Sequence, residues 1–166
     1  MTRWATSQFL TPWAASLTTV NAIDDTGNAA GTYAVNGGID HGFISDALGN
    51  ITTFDPSGSF DTFPTAIDNG MVAGYFDGAG THGFIRDAAG NITLIDVPGS
   101  VATLVTSLND SGWVGGDYED SSGVFHGFIA VPKTAAVPEL PSMQMWVFGL
   151  IAFRVLSSLA PKRTPK

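Results

Sequence analysis

Short runs of apolar and β-branched residues alternate with turn residues along most of the chain. One stretch shows the pattern well, with apolar runs over 41–46, 50–55, 62–67 and 71–76. Runs rich in Ile, Val, Thr, Phe and Tyr are typical of strands, and the Asn-Gly and Asp-x-x-Gly-Asn sequences between them are typical of tight hairpin turns. No helical periodicity occurs before residue 142. We therefore predict an all-β fold with about eleven strands.

The tripeptide His-Gly-Phe occurs three times, and the sequence around it recurs with it. The copies begin at His41, His82 and His126, so they are spaced 41 and 44 residues apart. A repeat of about 40–45 residues with several turns per unit is typical of four-stranded propeller blades. A closed propeller has about four to eight blades. The sequence therefore predicts an incomplete, open β-propeller-like array of about three four-stranded repeats over 19–131.

The number of repeats leaves three interpretations open. The array is an open arc, or several copies of the chain close a ring through heterologous contacts, or the sequence is a fragment of a longer array. We favour the fragment or the open arc, and the oligomeric state is left undetermined.

The repeated tripeptide has a structural and a functional interpretation. In the structural one, each imidazole is hydrogen-bonded to backbone, each glycine allows close chain approach, and each phenylalanine fills the core between repeats. In the functional one, each repeat holds a ligand or a metal. Because a catalytic residue is normally unique in a repeat array, recurrence favours structure. The residues predicted to be structural are His41, Gly42, Phe43, His82, Gly83, Phe84, His126, Gly127 and Phe128.

Charge is distributed unevenly along the chain. All 15 acidic residues lie between Trp4 and Leu140, where the bases are Arg86 and Lys133. An acidic body repels phosphate backbones, so we predict that nucleic acid is not a partner. The chain has no cysteine, and this excludes disulfides and thiolate chemistry.

Candidate chemistry is sparse. The acids lie at turns, where aspartate accepts bonds from backbone N–H groups, so no glycosidase pair can be selected among them. A calcium loop over 117–123 is considered, but it lacks the Asp-x-Asp-x-Asp-Gly spacing. We predict no catalytic residue, cofactor or metal. Trp113 and Tyr118 are the candidates for an exposed platform on which a sugar could stack.

The two ends of the chain differ from the repeats. Residues 1–18 form a lead-in without a clear signal peptide. Residues 132–142 are predicted to be a linker, 143–160 a transmembrane helix about 27 Å long, and 161–166 a basic cytoplasmic end. Arg154 falls within the span, at a cost of about 2.5–3.5 kcal/mol if it is central, which snorkelling relieves in part.

Two parts of the sequence resemble known bacterial families. The His-Gly-Phe units with their flanking Asp-x-x-Gly-Asn turns resemble the extracellular HAF repeat family, which implies a propeller-like fold and no catalytic residue to transfer. The order Val-Pro-Glu, apolar helix and basic end resembles the PEP-CTERM sorting signal. That resemblance implies that Pro138 and Glu139 are recognised by an exosortase in a cell that makes exopolysaccharide. Leu140 departs from the pattern, since the family has proline at that place.

The sequence thus predicts an exported, non-enzymatic β-repeat protein of the bacterial cell envelope, either anchored in the membrane by its tail or released. A polysaccharide is the expected associate. A carbohydrate-binding module is one alternative. A fragment of a longer propeller, without its own activity or with a glycosidase activity, is the other.

Overall fold

The computed structural model describes residues 11–12 and 14–133 and is all-β. Its strands are β1 (Leu17–Ile23), β2 (Ala29–Ala34), β3 (Asp40–Ser45), β4 (Ile51–Phe54), β5 (Asp61–Asp68), β6 (Met71–Asp77), β7 (Thr81–Arg86), β8 (Ile92–Ile95), β9 (Ala102–Leu108), β10 (Val114–Glu119) and β11 (Phe125–Ala130). The predicted all-β class is confirmed. Across this part of the chain no helix is long and apolar enough to cross a membrane. The transmembrane helix predicted over 143–160 lies outside the described residues, as do the basic end and most of the linker.

The strands form two open sheets. The first has four antiparallel strands in the order β1-β2-β3-β4. In the second, β5, β6, β7 and β8 pair antiparallel in sequence order, and so do β9, β10 and β11. A single parallel bridge, Thr81 with Ala102, joins these two groups. We call β1–β4 repeat 1, β5–β8 repeat 2 and β9–β11 repeat 3.

The grouping of strands differs from the predicted unit. The stretch 41–76 was predicted to be one unit of four strands, but its first two strands end repeat 1 and its last two begin repeat 2. The His-Gly-Phe strand is therefore the third strand of each repeat. Sequence periodicity sets the length of a repeat, whereas the hydrogen-bonded sheet decides where a repeat begins.

Turn chemistry explains the hairpins. In the β3–β4 turn, Oδ1 of Asp46 accepts hydrogen bonds from the backbone N–H of Leu48 and of Asn50, while Oδ2 accepts one from the Asn50 amide at 2.7 Å. These bonds, the Asn50 side chain first among them, hold the pKa of Asp46 below its usual value. Gly49 closes the turn with φ of 85°, which only glycine adopts without strain.

Each repeat bends at the same point in its first strand. The residues left unpaired by the register shifts are Asn21 in β1, Thr65 in β5 and Thr106 in β9. Opposite each bulge lies a glycine of the second strand, such as Gly74, whose Cβ would overlap the backbone of Phe63. The bulge thus needs a glycine opposite it, because any side chain would collide with the neighbouring strand.

The core lies between consecutive repeats. One cluster joins Ala30 of β2 to buried side chains of repeat 2, among them Val72 and Phe84. A second cluster joins Ala73 of β6 to Val105 and Val114 of repeat 3. Each repeat therefore buries its apolar face against its neighbour, as in other repeat proteins.

Candidate functional site

The three repeated histidines form the same arrangement in each repeat. His41 lies in β3, His82 in β7 and His126 in β11. Each ring packs on the aromatic residue directly opposite it on the second strand of its repeat. The pairs are Tyr33–His41 at 5.2 Å between ring centroids, Phe76–His82 at 5.4 Å and Tyr118–His126 at 5.0 Å.

A carboxylate contacts every one of these imidazoles. Nδ1 of His41 lies 2.7 Å from Oδ2 of Asp55, and Nδ1 of His82 lies 3.0 Å from Oδ2 of Asp96. The predicted partner of the histidines was backbone; the structure shows a side-chain carboxylate instead. Asp55 and Asp96 were not predicted as the partners of these histidines. The signal was there, because each follows its histidine by fourteen residues.

Repeat 3 makes the contact differently. Fourteen residues after His126 the sequence has Leu140, which has no carboxylate. Instead, Nε2 of His126 lies 2.8 Å from Oδ2 of Asp120, in the turn before β11. The hydrogen bond from His126 is the largest cause holding the pKa of Asp120 below its usual value.

The carboxylate of Asp55 connects two repeats. Besides His41, it accepts a hydrogen bond from the hydroxyl of Thr62 in β5 at 2.8 Å. Thr62 is fully buried, so this bond fixes β5 of repeat 2 against the His-Gly-Phe strand of repeat 1. The Asp55 carboxylate thus stabilises the interface between repeats 1 and 2. Both of its oxygens are already hydrogen-bonded within the protein.

The glycine and phenylalanine of the tripeptide also act at the repeat interface. A Cβ on Gly42 would lie 3.0 Å from Thr62 Cγ2, and one on Gly83 would lie 2.8 Å from Val105 Cγ2, which is in each case a side chain of the next repeat. Phe43 and Phe84 are 0% exposed. The two glycines thus allow close approach of the next repeat, and Phe84 packs in the core between repeats 1 and 2.

Three turns converge on an acidic cleft of about 240 Å³. They follow the first strands of the three repeats, and the lining residues are Asp24, Asp25, Thr26, Asp68, Asn69, Asn109 and Asp110. Burial raises the pKa of Asp24, but hydrogen bonds from Thr26 and Asn28 outweigh it, so the pKa lies below the usual value. Among the described residues no group of three or more His, Cys, Asp or Glu side chains is arranged to hold a metal ion.

The loop considered for calcium is the β10–β11 turn. Oδ1 of Asp120 accepts hydrogen bonds from the N–H of Ser122 at 2.8 Å and of Val124 at 3.1 Å, while Oδ2 faces His126. Both carboxylate oxygens of Asp120 are thus hydrogen-bonded within the β10–β11 hairpin. The bonds to Oδ1 match those of the Asp46 turn, and this turn chemistry explains the aspartate without a metal.

The two candidate platform residues lie at different places. Trp113 is 50% exposed and precedes β10, where it lines a shallow groove of about 280 Å³ with Leu108 and Ile129. Tyr118 is the fifth residue of β10 and stacks on His126. Trp113 is therefore available as a stacking surface, whereas one face of Tyr118 is occupied by the imidazole.

Comparisons with protein-family models, with curated proteins and with solved structures find no match to this chain. The resemblances to HAF repeats and to the PEP-CTERM signal thus remain expectations from the sequence. Pro138 and Glu139 lie outside the described residues. What the structure contributes is an arrangement of an aromatic ring, a histidine and a carboxylate that recurs in each repeat. In repeat 1 it also reaches the next repeat, through Thr62.

Proposed function

We propose that this chain is a non-enzymatic scaffold protein of the bacterial cell surface, anchored through its C-terminal segment. The observation that carries the proposal is the use of the repeated residues. The histidines, glycines and phenylalanines of repeats 1 and 2, with Asp55 and Thr62, hold strands and repeats together. A chain whose recurrent polar side chains serve its own interfaces is suited to presenting an extended surface.

The array itself is proposed to be propeller-like. Its repeats are antiparallel and follow one another in sequence order, and β5 and β9 each pack against the preceding repeat. This is the way in which consecutive blades stack around an axis. We propose an open arc of about three repeats, of which repeat 3 has three strands in the described part of the chain.

Export and anchoring rest on the tail sequence. The apolar run over 143–160 and the basic end over 161–166 are typical of a span whose end stays in the cytoplasm. Fractionation of cells that make the full-length chain tests this. We expect the protein in the envelope or the medium, and we expect a variant lacking 143–166 to leave the membrane fraction. Recovery of the whole protein from the soluble cytoplasm would contradict the proposal.

The sorting motif can be tested apart from anchoring. Replacing both Pro138 and Glu139 by alanine leaves the apolar span intact, so the variant should remain in the membrane. If an exosortase processes the tail, the wild-type chain will be shortened in the producing cell and the variant will not. Equal processing of the two would remove the sorting motif from the proposal and leave a simple anchor.

Carbohydrate binding is the second candidate, and the exposure of Trp113 favours it. Indole faces bind sugar rings by stacking, and this ring borders a groove. The test is binding of the full chain to a glycan array, followed by Trp113→Ala. Phe60→Ala is the matched control, since that ring is 64% exposed outside the groove. Loss with Trp113→Ala alone supports a sugar site, absence of any signal removes it, and hydrolysis of the same glycans would indicate a glycosidase.

A further inference from the structure

Repeat 3 exposes the face that repeats 1 and 2 bury. A Cβ on Gly127 would have no atom nearer than 4.0 Å, whereas one on the equivalent Gly83 would lie 2.8 Å from Val105 Cγ2 of the next repeat. Ile129, two residues along the strand and therefore on the same face as Gly127, is 74% exposed. Phe128 points to the opposite face, where it packs against the cluster that joins repeats 2 and 3. We call the surface of β11 that carries Gly127 and Ile129 the tail face.

In repeats 1 and 2 the equivalent face is covered by the first strand of the next repeat. The bulge residue of one repeat donates a hydrogen bond to a carbonyl of that strand. Asn21 Nδ2 donates to the Pro64 carbonyl at 2.9 Å, and Thr65 Oγ1 donates to the Val105 carbonyl at 2.8 Å. The equivalent Thr106 is exposed, and within the described residues its hydroxyl makes one hydrogen bond, a 3.4 Å contact to the Gly115 carbonyl of its own repeat.

Strand β1 exposes the complementary surface, which we call the head face. Val20 corresponds to Pro64 and Val105, as each precedes the bulge residue of its strand. Pro64 and Val105 are less than 2% exposed, but Val20 is 49% exposed. Ile23 is 71% exposed, whereas Ile67 at the same place in β5 is 7% exposed.

We propose that the tail face of one copy of this chain binds the head face of a second copy. The contact would continue the interface that the chain already forms twice, with the Thr106 hydroxyl donating to the Val20 carbonyl of the second copy. It is a heterologous contact, because the two surfaces differ. If the array is propeller-like as proposed, two copies would bring together six repeats, which is within the four to eight blades of closed propellers.

Disulfide trapping in the full-length chain tests the pairing directly. The chain has no cysteine, so every thiol is an introduced one. Thr106→Cys and Val20→Cys are made in separate, differently tagged copies, mixed and oxidised. We expect a mixed disulfide dimer on a non-reducing gel. Both positions are exposed, so neither variant should impair folding.

The matched control is Thr106→Cys mixed with Leu48→Cys, since Leu48 is 84% exposed but lies in the β3–β4 turn. Association through the apolar tail would trap both pairs alike, whereas docking of the two faces traps the first pair several-fold more. Equal trapping of the two pairs overturns the proposal. So does a monomeric full-length chain in light scattering, which is the result expected if a segment such as residues 134–140 covers the tail face of its own chain.

A second measurement uses charge instead of cross-linking. Val20→Asp and Ile23→Asp place a carboxylate on the head face without touching the core of the monomer. Each should shift the full-length chain toward the monomer in light scattering, while Leu48→Asp should not. No difference among the three variants, with circular dichroism showing all of them folded, would also overturn the proposal.

Discussion

Residues at one place in the repeat do different work in different repeats. Gly83 and Gly127 hold the same position of the tripeptide, but the first contacts backbone and side chains of its neighbours and the second faces open space. Asp55 accepts bonds from His41 and Thr62, whereas repeat 3 has no carboxylate at that spacing. Sequence identity between repeats therefore does not imply equal energetic importance.

Alanine at the two glycines should separate these roles. Gly83→Ala places a methyl group 2.5 Å from the Ile95 carbonyl and 2.8 Å from Val105 Cγ2. We expect a loss of about 1–3 kcal/mol in the free energy of unfolding. Gly127→Ala, the control, should change it by less than about 0.5 kcal/mol. Denaturant unfolding at low protein concentration measures both, and equal losses would contradict the burial difference.

The aspartates of the hairpin turns should make the fold sensitive to acid. Hydrogen bonds from Asn50 and Asn91 lower the folded-state pKa of Asp46 and Asp87. The unfolded chain therefore binds protons more readily, so this stabilisation is present above the ordinary pKa of about 4 and is lost as pH falls through the lowered folded values. We expect the melting temperature to fall with decreasing pH in that range.

Asp46→Asn tests the origin of this acid sensitivity. It removes one titrating carboxylate, so the fall in melting temperature below about pH 4 should become shallower. Asp25→Asn, at another exposed turn, is the control. If Asp46→Asn leaves the pH profile unchanged, other carboxylates account for the fall in melting temperature at acid pH.

Strands at equivalent places differ in how much they contribute to the core. The Phe84 ring of β7 packs edge to face on Phe54 of β4 at 5.8 Å, across the boundary between repeats 1 and 2. The guanidinium of Arg86 also lies over Phe54, at 5.3 Å from its centroid. Where β4 meets β7, aromatic and cation–π contacts thus add stabilisation beyond that from the buried apolar area.

Truncation of the repeated phenylalanines should reveal this difference. Phe84→Ala removes a fully buried ring and leaves a cavity, so we expect a loss of about 3–5 kcal/mol in the free energy of unfolding. Phe128→Ala, in the third repeat, removes a half-buried ring and should cost less than half as much. Urea unfolding followed by far-UV circular dichroism compares them. A larger loss with Phe128→Ala would contradict the assignment of the core.

At the scale of the whole molecule, stability is concentrated in the middle repeat. Repeat 2 packs against both neighbours through the two core clusters, whereas β1 and β11 have their apolar residues largely exposed. In a repeat array stability is approximately a sum of repeat and interface contributions, so the ends lack one interface each. The same two ends carry the head and tail faces.

Amide hydrogen exchange should follow this gradient. We expect the slowest exchange in β6 and β7, which are paired on both edges and lie between the two core clusters. Among the strands, β11 should exchange fastest. Measurement at low protein concentration keeps association from adding protection. Protection in β11 equal to that in β7 would show that the tail face is covered within one chain.

Local features of the fold were predictable from the sequence, whereas the partners of its side chains were not. The Asp-x-x-Gly-Asn hairpins form where predicted, since their bonds join residues within one turn. The contact of His41 with Asp55 was not predicted, because it joins β3 to the residue that follows β4. The predicted unit over 41–76 was wrong for a similar reason, since pairing of β4 with β3 and of β5 with β6 places its halves in different sheets.

The sequence by itself determined the strands, the turns and the repetition of a tripeptide, because side-chain pattern and turn chemistry act over a few residues. Tertiary structure decided what the tripeptide does. In repeats 1 and 2 its glycine meets a side chain of the next repeat's first strand, and in repeat 3 the same glycine faces open space. Burial depends on which neighbour is present in space, and the same tripeptide therefore has a covered glycine in two repeats and an open one in the third.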